Sequence, residues 1–593
     1  MPDGAEAGHW GQVILLNDTV VALHRDGTVS RLMHLITLLH GEQQLADWDD
    51  VTRDYDRRVA LETVRTAGIH LPDGSWSKAA KTVLSLDPRQ RVVNVAFHPL
   101  RPGVVLEFEA QFDRFRPFEM ATGLWTQMFI QGPAPQRRFR FTVAVAEPFR
   151  AEFALHHCDL PPDESLEKGY HVFRWDLCDL PGIEMDPWVP PLRDCAPWID
   201  LTTLSDWRSI ADYYHRELDP GETAPVEVRR LARELTCDVA SDRDKLLKVY
   251  RYAARDVRYG RHPKDVEIET PRQSARMLED LRGDCKDKSA LMVSLLRELG
   301  LPAEIALVQT RANGETPSLP APWFDHALVR SELDGSALWI DAAAGPYTFG
   351  RIPGNDCGVE ALLLDGLYTR VDIPETTVDQ QQVVRVCRGE LDDNGTYRFD
   401  AEVTVRGDEA AGLRSLLLDR IDEHRIRMLG QMIAADLTGA DVSDIRIDAL
   451  DDLSRDVQYR YVMAIRRWGR CVRDLWLLRI PWSHGIETTG PVSAGSRVQP
   501  LAAPGVLAVD DRHEIDIPPG FAGYGLPYTV TADSPWGRYS CSIVSEASRL
   551  ICHRRIEHQG GIVPPEKFLE FKQFWETCAR SDAADVVLMK QTG

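Results

Sequence analysis

The chain has 593 residues, of which 44% are hydrophobic, enough apolar material for three or four cores at about 150 residues each. Its 91 acidic residues against 69 basic ones leave a net charge of −22. With no concentrated basic patch, that charge opposes polyphosphate and anionic membrane surfaces, so no nucleic-acid partner is expected.

No run approaches the ~20 uninterrupted apolar residues of a membrane span, and Met1-Pro2-Asp3-Gly4-Ala5-Glu6 lacks a basic start followed by an apolar run. No membrane insertion is expected, and a cytoplasmic location is. Eleven scattered cysteines without CxxC spacing read as reduced thiols rather than a disulfide framework.

Residues 1–221 alternate short strand patterns with turn signals such as Asp26-Gly27, Pro72-Asp73-Gly74 and Pro102-Gly103. In the clearest strand Val104, Leu106, Phe108, Ala110 and Phe112 share one face and Glu107, Glu109 and Gln111 the other, as in a half-buried sheet. An N-terminal β-sandwich domain is expected. Leu218-Asp219-Pro220-Gly221-Glu222-Thr223-Ala224-Pro225 breaks the pattern and marks a domain boundary. Helical segments near residues 226–258 then open a second domain, residues 222–372.

Within that domain Leu291, Met292, Leu295, Leu296 and Leu299 recur at three- and four-residue spacing before Gly300 and Pro302. The spacing predicts an amphipathic helix with Cys285 in its first turn. Asp284 is a natural N-cap, and Asp287 supplies the acidic half of a capping box. Residues 309–325, with Gly314, Pro317, Pro320 and Pro322, read as a long loop, a binding lid in preference to a disordered segment. In it Trp323 suits a cleft wall and core packing equally.

Asp334-Gly335 then joins two strands as a hairpin, which puts His326 and Asp341 at the same open end. From residue 373 strand periodicity returns, with Tyr397, Phe399, Ala401, Val403 and Val405 alternating with polar residues. One long helix over residues 411–437 and a shorter one over 565–579 are predicted. Residues 373–593 read as a C-terminal β-rich domain with helices, and no internal repeat stands out.

Cys285, His326 and Asp341 form the candidate catalytic set. Unpaired N–H groups at a helix start favour an anion by about 0.3–1 kcal/mol, which biases a thiol there toward thiolate, although Asp284 and Asp287 push the other way. Each residue alone has a plainer reading: a buried small hydrophobe, a satisfied histidine, a turn acceptor. Their combination in order supplies nucleophile, base and orienter.

Cys357, between Asp356 and Gly358, has neither a helix start nor a histidine motif and reads as structural. His156, His157 and Cys158 point alternately to opposite faces of a strand and lack a second ligand pair, so they do not read as a metal site. No cofactor and no metal are expected.

Gly283-Asp284-Cys285-Lys286-Asp287-Lys288, then Asp325-His326-Ala327-Leu328-Val329, then Leu338-Trp339-Ile340-Asp341 resemble the motifs of the transglutaminase-like superfamily. Pro271-Arg272-Gln273-Ser274-Ala275-Arg276-Met277-Leu278 and Gly350-Arg351-Ile352-Pro353-Gly354-Asn355-Asp356-Cys357-Gly358 resemble flanks of that core in bacterial members. The likeness is specific over about residues 240–365.

The resemblance implies a multidomain α+β architecture, with a papain/transglutaminase-like core between β-rich domains. It implies Cys on a helix and His and Asp on adjacent strands. Relatives with this domain order are often exported, so a periplasmic location follows if the N-terminus is trimmed.

The chemistry implied is acyl transfer through a thioester, on a peptide, protein or other amide or thioester substrate, with water or an amine as acceptor. The Cys285 N–H and one further donor would meet the oxyanion; Tyr252, Tyr259 and Gln273 are candidates by residue type. The alternative is a catalytically silent scaffold that binds a peptide or protein partner through its β-rich domains.

Overall fold

Period-two alternation fixes the strands at both ends of the chain. The computed structural model describes residues 9–591 except 86–89, 118–121, 220, 222–223, 261–273, 436 and 487–491. The strand Val104–Arg114 buries Val104, Leu106, Phe108 and Ala110 and leaves the residues between them half-buried, as alternation dictates.

It belongs to an eight-stranded sheet, ordered Asp163–Glu167, Tyr170–Leu180, Gln136–Ala146, Gln12–Leu23, Val29–Leu39, Val104–Arg114, Ala60–His70, Trp76–Lys78. Two three-stranded sheets pack on it. Ile199 and Leu201 of one sheet meet Phe139, Phe141 and Trp175, and Val93 and Val95 of the other meet Leu106 and Phe108.

The C-terminal part carries a second eight-stranded sheet, ordered Ala440–Asp448, Val457–Ile465, Tyr397–Val405, Gln382–Leu391, Leu507–Asp516, Arg549–His558, Gly537–Glu546, Tyr528–Ser534. Each large sheet has one parallel pair, Gln12–Leu23 with Gln136–Ala146 and Gln382–Leu391 with Leu507–Asp516. Beside the first strand of that pair lies its hairpin partner and then two strands in reversed chain order, with Trp76–Lys78 added beyond them in the N-terminal sheet; beside the second strand lie two reversed strands in the N-terminal sheet and three in the C-terminal one. The chain therefore repeats one winding at both ends. No sequence repeat signals it, because sheet topology depends on apolar periodicity rather than on residue identity.

Between the large sheets lies a five-stranded antiparallel sheet, ordered Ser336–Ile340, His326–Leu333, Ala303–Val308, Glu360–Leu363, Arg370–Asp372. Helices Arg208–Leu218, Val226–Thr236, Asp242–Arg251 and Cys285–Glu298 share one apolar core with its first face. Ala306, Val308, Leu328, Ala361 and Leu363 form a smaller core on the other face. The Cys285 helix is central rather than amphipathic: Asp287, Lys288, Ser289, Ala290, Val293 and Ser294 are buried as well as its leucines. Helices pack against it on one side and strands on the other, which a single-sequence period does not report.

The helix expected over residues 411–437 is two helices, Asp408–Leu417 and Asp422–Ala434. No Gly or Pro marks the break. Arg425 donates to the carbonyls of Leu417 (3.0 Å) and Leu418 (2.6 Å), satisfying helix-end acceptors that continuation would have used. Among the described residues no helix is long and apolar enough to cross a membrane.

The central unit joins the C-terminal part through Arg414, which is fully buried. Its guanidinium donates to Thr348 Oγ1 (2.9 Å) and to the carbonyls of Leu450 (3.2 Å), Asp452 (2.9 Å) and Arg455 (2.6 Å). Arg414→Met would orphan several buried acceptors, each costing about 1–3 kcal/mol. Urea unfolding should therefore show a loss of at least about 3 kcal/mol, whereas Arg466→Ala, which removes an exposed ion pair with Asp441, should change little.

Candidate active site

The helix that carries Cys285 starts where its sequence specifies. Asp284 Oδ1 accepts from the N–H groups of Lys286 (3.0 Å) and Asp287 (3.2 Å), and Asp287 Oδ2 accepts from the Asp284 N–H (3.1 Å). This capping box satisfies the N–H groups of Asp284, Lys286 and Asp287 locally. Gly283 is required ahead of it, since a Cβ there would come within 2.7 Å of Asp287 Cβ and Met277 Cε.

Ser289 Oγ donates to the Ala327 carbonyl (3.1 Å). That bond ties the helix's second turn to the residue after His326 and fixes the register of helix against strand.

The hairpin forms as its turn dictates, with Asp334 at φ 53° and Gly335 at φ 75°, the left-handed pair of a type I′ turn. Its pairing of Val329 with Ile340 leaves His326 and Asp341 at the open end. His326 Nε2 lies 2.9 Å from Asp341 Oδ2, while Asp341 Oδ1 accepts from the N–H groups of Ala343 (2.7 Å) and Ala344 (3.0 Å). The Cys285 side chain interacts with the same imidazole. The three residues singled out in the sequence are thus brought together: Cys285 4% exposed, Asp341 2% exposed and His326 partly open.

Burial opposes a charged imidazole here. The hydrogen bond to Asp341, the contact with Cys285 and the nearby carboxyls outweigh it and raise the His326 pKa to about 11. Burial likewise opposes the Asp341 carboxylate, and the His326 bond and the Ala343 N–H outweigh it, holding its pKa below the ordinary value. Lys288, one helical turn from Cys285 and fully buried, is pushed down to about 8 by burial against the pull of Asp341.

Sequence reasoning missed Asp356. It is buried, with Oδ2 4.0 Å from His326 Nε2, and it reaches the site from a one-turn helix, Gly354–Asp356. No short-range signal connects it to His326 thirty residues earlier. Cys357 beside it is a buried thiol pushed up to about 12 by burial and by Asp356, consistent with a structural role.

Of the oxyanion candidates, Tyr252 packs partly buried against the core. Tyr259 is 61% exposed and pairs through its backbone with Gly283. Gln273 lies outside the described residues, as do Pro271 and Arg272 ahead of it.

Residues 309–325 are a tied connection rather than a free lid. Asp325 accepts from Thr310 N (2.8 Å) and Thr310 Oγ1 (2.7 Å), closing the loop's two ends. Thr202 Oγ1 donates to the Pro320 carbonyl (2.8 Å), and the Glu315 N–H donates to Asp194 Oδ1 (2.7 Å). Trp323 lies under Arg193, 6.0 Å from its ring centre.

His156 and His157 do not face apart. A positive φ of 55° at His157 turns the chain so that the two imidazoles approach opposite oxygens of Glu315, at 3.7 and 3.4 Å.

Residues 229–344 match the model of the transglutaminase-like superfamily. The chain carries a transglutaminase-like core. Residues 475–588 match a domain of unknown function, DUF3858, for which a structure has been solved. No curated protein matches the chain.

Among solved structures, a candidate protease from Parabacteroides distasonis aligns over 98% of this chain and 99% of its own, at 13% identity and a TM-score of 0.68, which shows a shared fold. A candidate cysteine protease from Cytophaga hutchinsonii aligns over 37% of this chain and 78% of its own, at 14% identity. Its TM-score of 0.18 carries no fold argument.

The pH dependence of the transglutaminase-like core's His–Asp pair follows from the two shifts. The raised imidazole pKa adds stability that is full below ~6.5 and is lost as pH rises toward 11. The lowered Asp341 pKa adds stability that is present above ~3.9 and is lost as pH falls. The stability difference between wild type and Asp341→Asn, measured by urea unfolding, should be widest between about pH 4 and 6.5 and shrink on either side.

Proposed function

We propose that this protein is a thiol enzyme that opens amide- or thioester-type carbonyls by acyl transfer, with Cys285 as nucleophile, His326 as base and Asp341 as orienter. The observation that carries the reading is His326, bonded to Asp341 at 2.9 Å through Nε2 while also engaging the Cys285 side chain. With Nε2 committed to Asp341, Nδ1 is the nitrogen left for sulfur. Asp341 fixes that tautomer and favours the imidazolium.

In the first half-reaction the Cys285 sulfur adds to the carbonyl carbon, and the oxyanion forms near the start of the capped helix. Each hydrogen-bond donor there contributes about 2.7–4 kcal/mol to the transition state. Collapse breaks the bond to the leaving amine or thiol, which takes a proton from His326, and leaves a thioester on Cys285. In the second half-reaction His326 removes a proton from water or from an amine, which attacks the thioester and frees the sulfur. Water gives hydrolysis of a peptide or protein; an amine acceptor gives transfer. No metal or cofactor enters this scheme.

The unit we assign to this chemistry is residues 222–372, between an N-terminal β-sandwich (residues 1–221) and a C-terminal β-rich domain (373–593). Helix Arg208–Leu218 buttresses it, since Ile210, Tyr213 and Tyr214 lie in the same apolar core as Leu291 and Leu295.

The 4% exposure of Cys285 favours a second reading, a silent scaffold that binds a peptide or protein partner. Iodoacetamide labelling at pH 7.5, read by peptide mapping at Cys285, separates the two. The enzyme reading expects labelling that falls by about tenfold or more in His326→Ala. An unlabelled Cys285 in the folded wild type would favour the scaffold. Once a substrate is in hand, Cys285→Ala should abolish turnover with the fold intact, and a fluorescent amine should be incorporated faster than hydrolysis proceeds only if the enzyme is a transferase.

A further inference from the structure

Asp356 is absent from the triad yet is built into it. A carboxyl oxygen of Asp356, a ring nitrogen of His326 and a carboxyl oxygen of Asp341 lie within 4.8 Å of one another, and Asp356 is only 3% exposed. Its Oδ2 has no ordinary hydrogen-bond donor, and the group nearest in kind is another carboxyl, that of Asp341. Two bare carboxylates sharing one buried imidazole would repel, so one of them keeps a proton.

The surroundings decide which. Asp341 accepts from two backbone N–H groups and the imidazole, an array that suits a carboxylate. Asp356 Oδ2 has no such donors and therefore suits the neutral acid.

We propose that Asp356 is a positioning residue of the site, a protonated carboxyl that donates its O–H to Asp341 and so holds the Asp341–His326 pair in line for Cys285. This rests on the thiol-enzyme reading above. The segment that presents it is clamped by the C-terminal part. Asp408 Oδ1 accepts from Tyr347 OH (3.0 Å), the Gly354 N–H (3.3 Å) and Gln381 Nε2 (3.2 Å), and Arg351 Nη1 donates to the Gln380 carbonyl (2.6 Å). The flanking domain thus helps assemble the site.

The ionisable groups that act on Asp356 come from several elements. They are His326 on its strand, Asp341 after the hairpin, Asp325 at the loop end, and Cys357 and Tyr347 on its own segment, with Lys288 of the Cys285 helix facing Asp341. Burial first, then the charge of Asp341, raises the Asp356 pKa to about 8, with His326 opposing. Below that pH the donated proton is present; above it the proton is lost and the two carboxylates repel.

The test is the pH profile of iodoacetamide labelling at Cys285 in the full-length protein, for wild type, Asp356→Asn and Asp356→Ala, with thermal unfolding confirming that each is folded. Wild type should show a break near pH 8. Asp356→Asn, whose N–H replaces the O–H donor, should keep the neutral-pH rate and lose that break. Asp356→Ala should fall on the order of tenfold to a hundredfold; if it unfolds, the Asp356→Asn profile decides alone.

Profiles of both variants matching wild type would overturn the proposal, as would Asp356→Asn falling as far as Asp356→Ala. A wild-type rate changed by EDTA and restored by zinc would overturn it too, by making the three side chains metal ligands. An unlabelled wild type would instead remove the thiol-enzyme reading and this proposal with it.

Discussion

The hydrogen bond from His326 to Asp341 is the contact on which the rest of the site depends. It bridges two strands of a hairpin at their open end, in a setting where Asp341 is 2% exposed. A buried carboxylate is tolerated only when its lone pairs are filled. Here Asp341 is met by the imidazole on one oxygen and by two backbone N–H groups on the other. That saturation holds the ring at one angle, and the angle determines which nitrogen is left for Cys285.

Two loops bracket this contact, and each is secured by a different flank. The loop ahead of His326 is bound to the N-terminal part through Asp194 and Thr202, with the paired histidines 156 and 157 on Glu315. The segment after Asp341 is bound to the C-terminal part through Arg414 and Asp408. The flanks therefore act as two halves of a frame that holds the two loops at the hairpin mouth. Both halves are built on the same sheet winding, so the frame has an approximate internal symmetry that the site does not share.

The central helix shows how electrostatics and packing divide the work. Its capping box is a local device that needs nothing beyond Asp284 to Asp287. Its burial on every side is a collective one: the Ser289 bond to the Ala327 carbonyl is possible only because sheet and helix are pressed together. A charged-capable Lys288 inside that packing, with its amine pushed down to about 8, is tolerated because Asp341 offsets part of its desolvation.

Local chemistry was therefore legible in the chain itself. The cap at Asp284, the Asp334-Gly335 turn and the alternation of residues 104–112 each follow from interactions spanning a few residues or from one periodic face, and the trio Cys285, His326 and Asp341 stands out by its order and flanking motifs. What tertiary structure alone decided depends on groups far apart in the chain. The break between residues 417 and 422 is set by Arg425 reaching back to helix-end carbonyls. The convergence of His156 and His157 is set by a glutamate about 160 residues later. The arrival of Asp356 beside His326 is set by a clamp on Asp408. Short-range rules fix backbone conformation and polarity; which carboxyl, guanidinium or imidazole fills a given vacancy is settled only when burial forces each polar atom to find a partner.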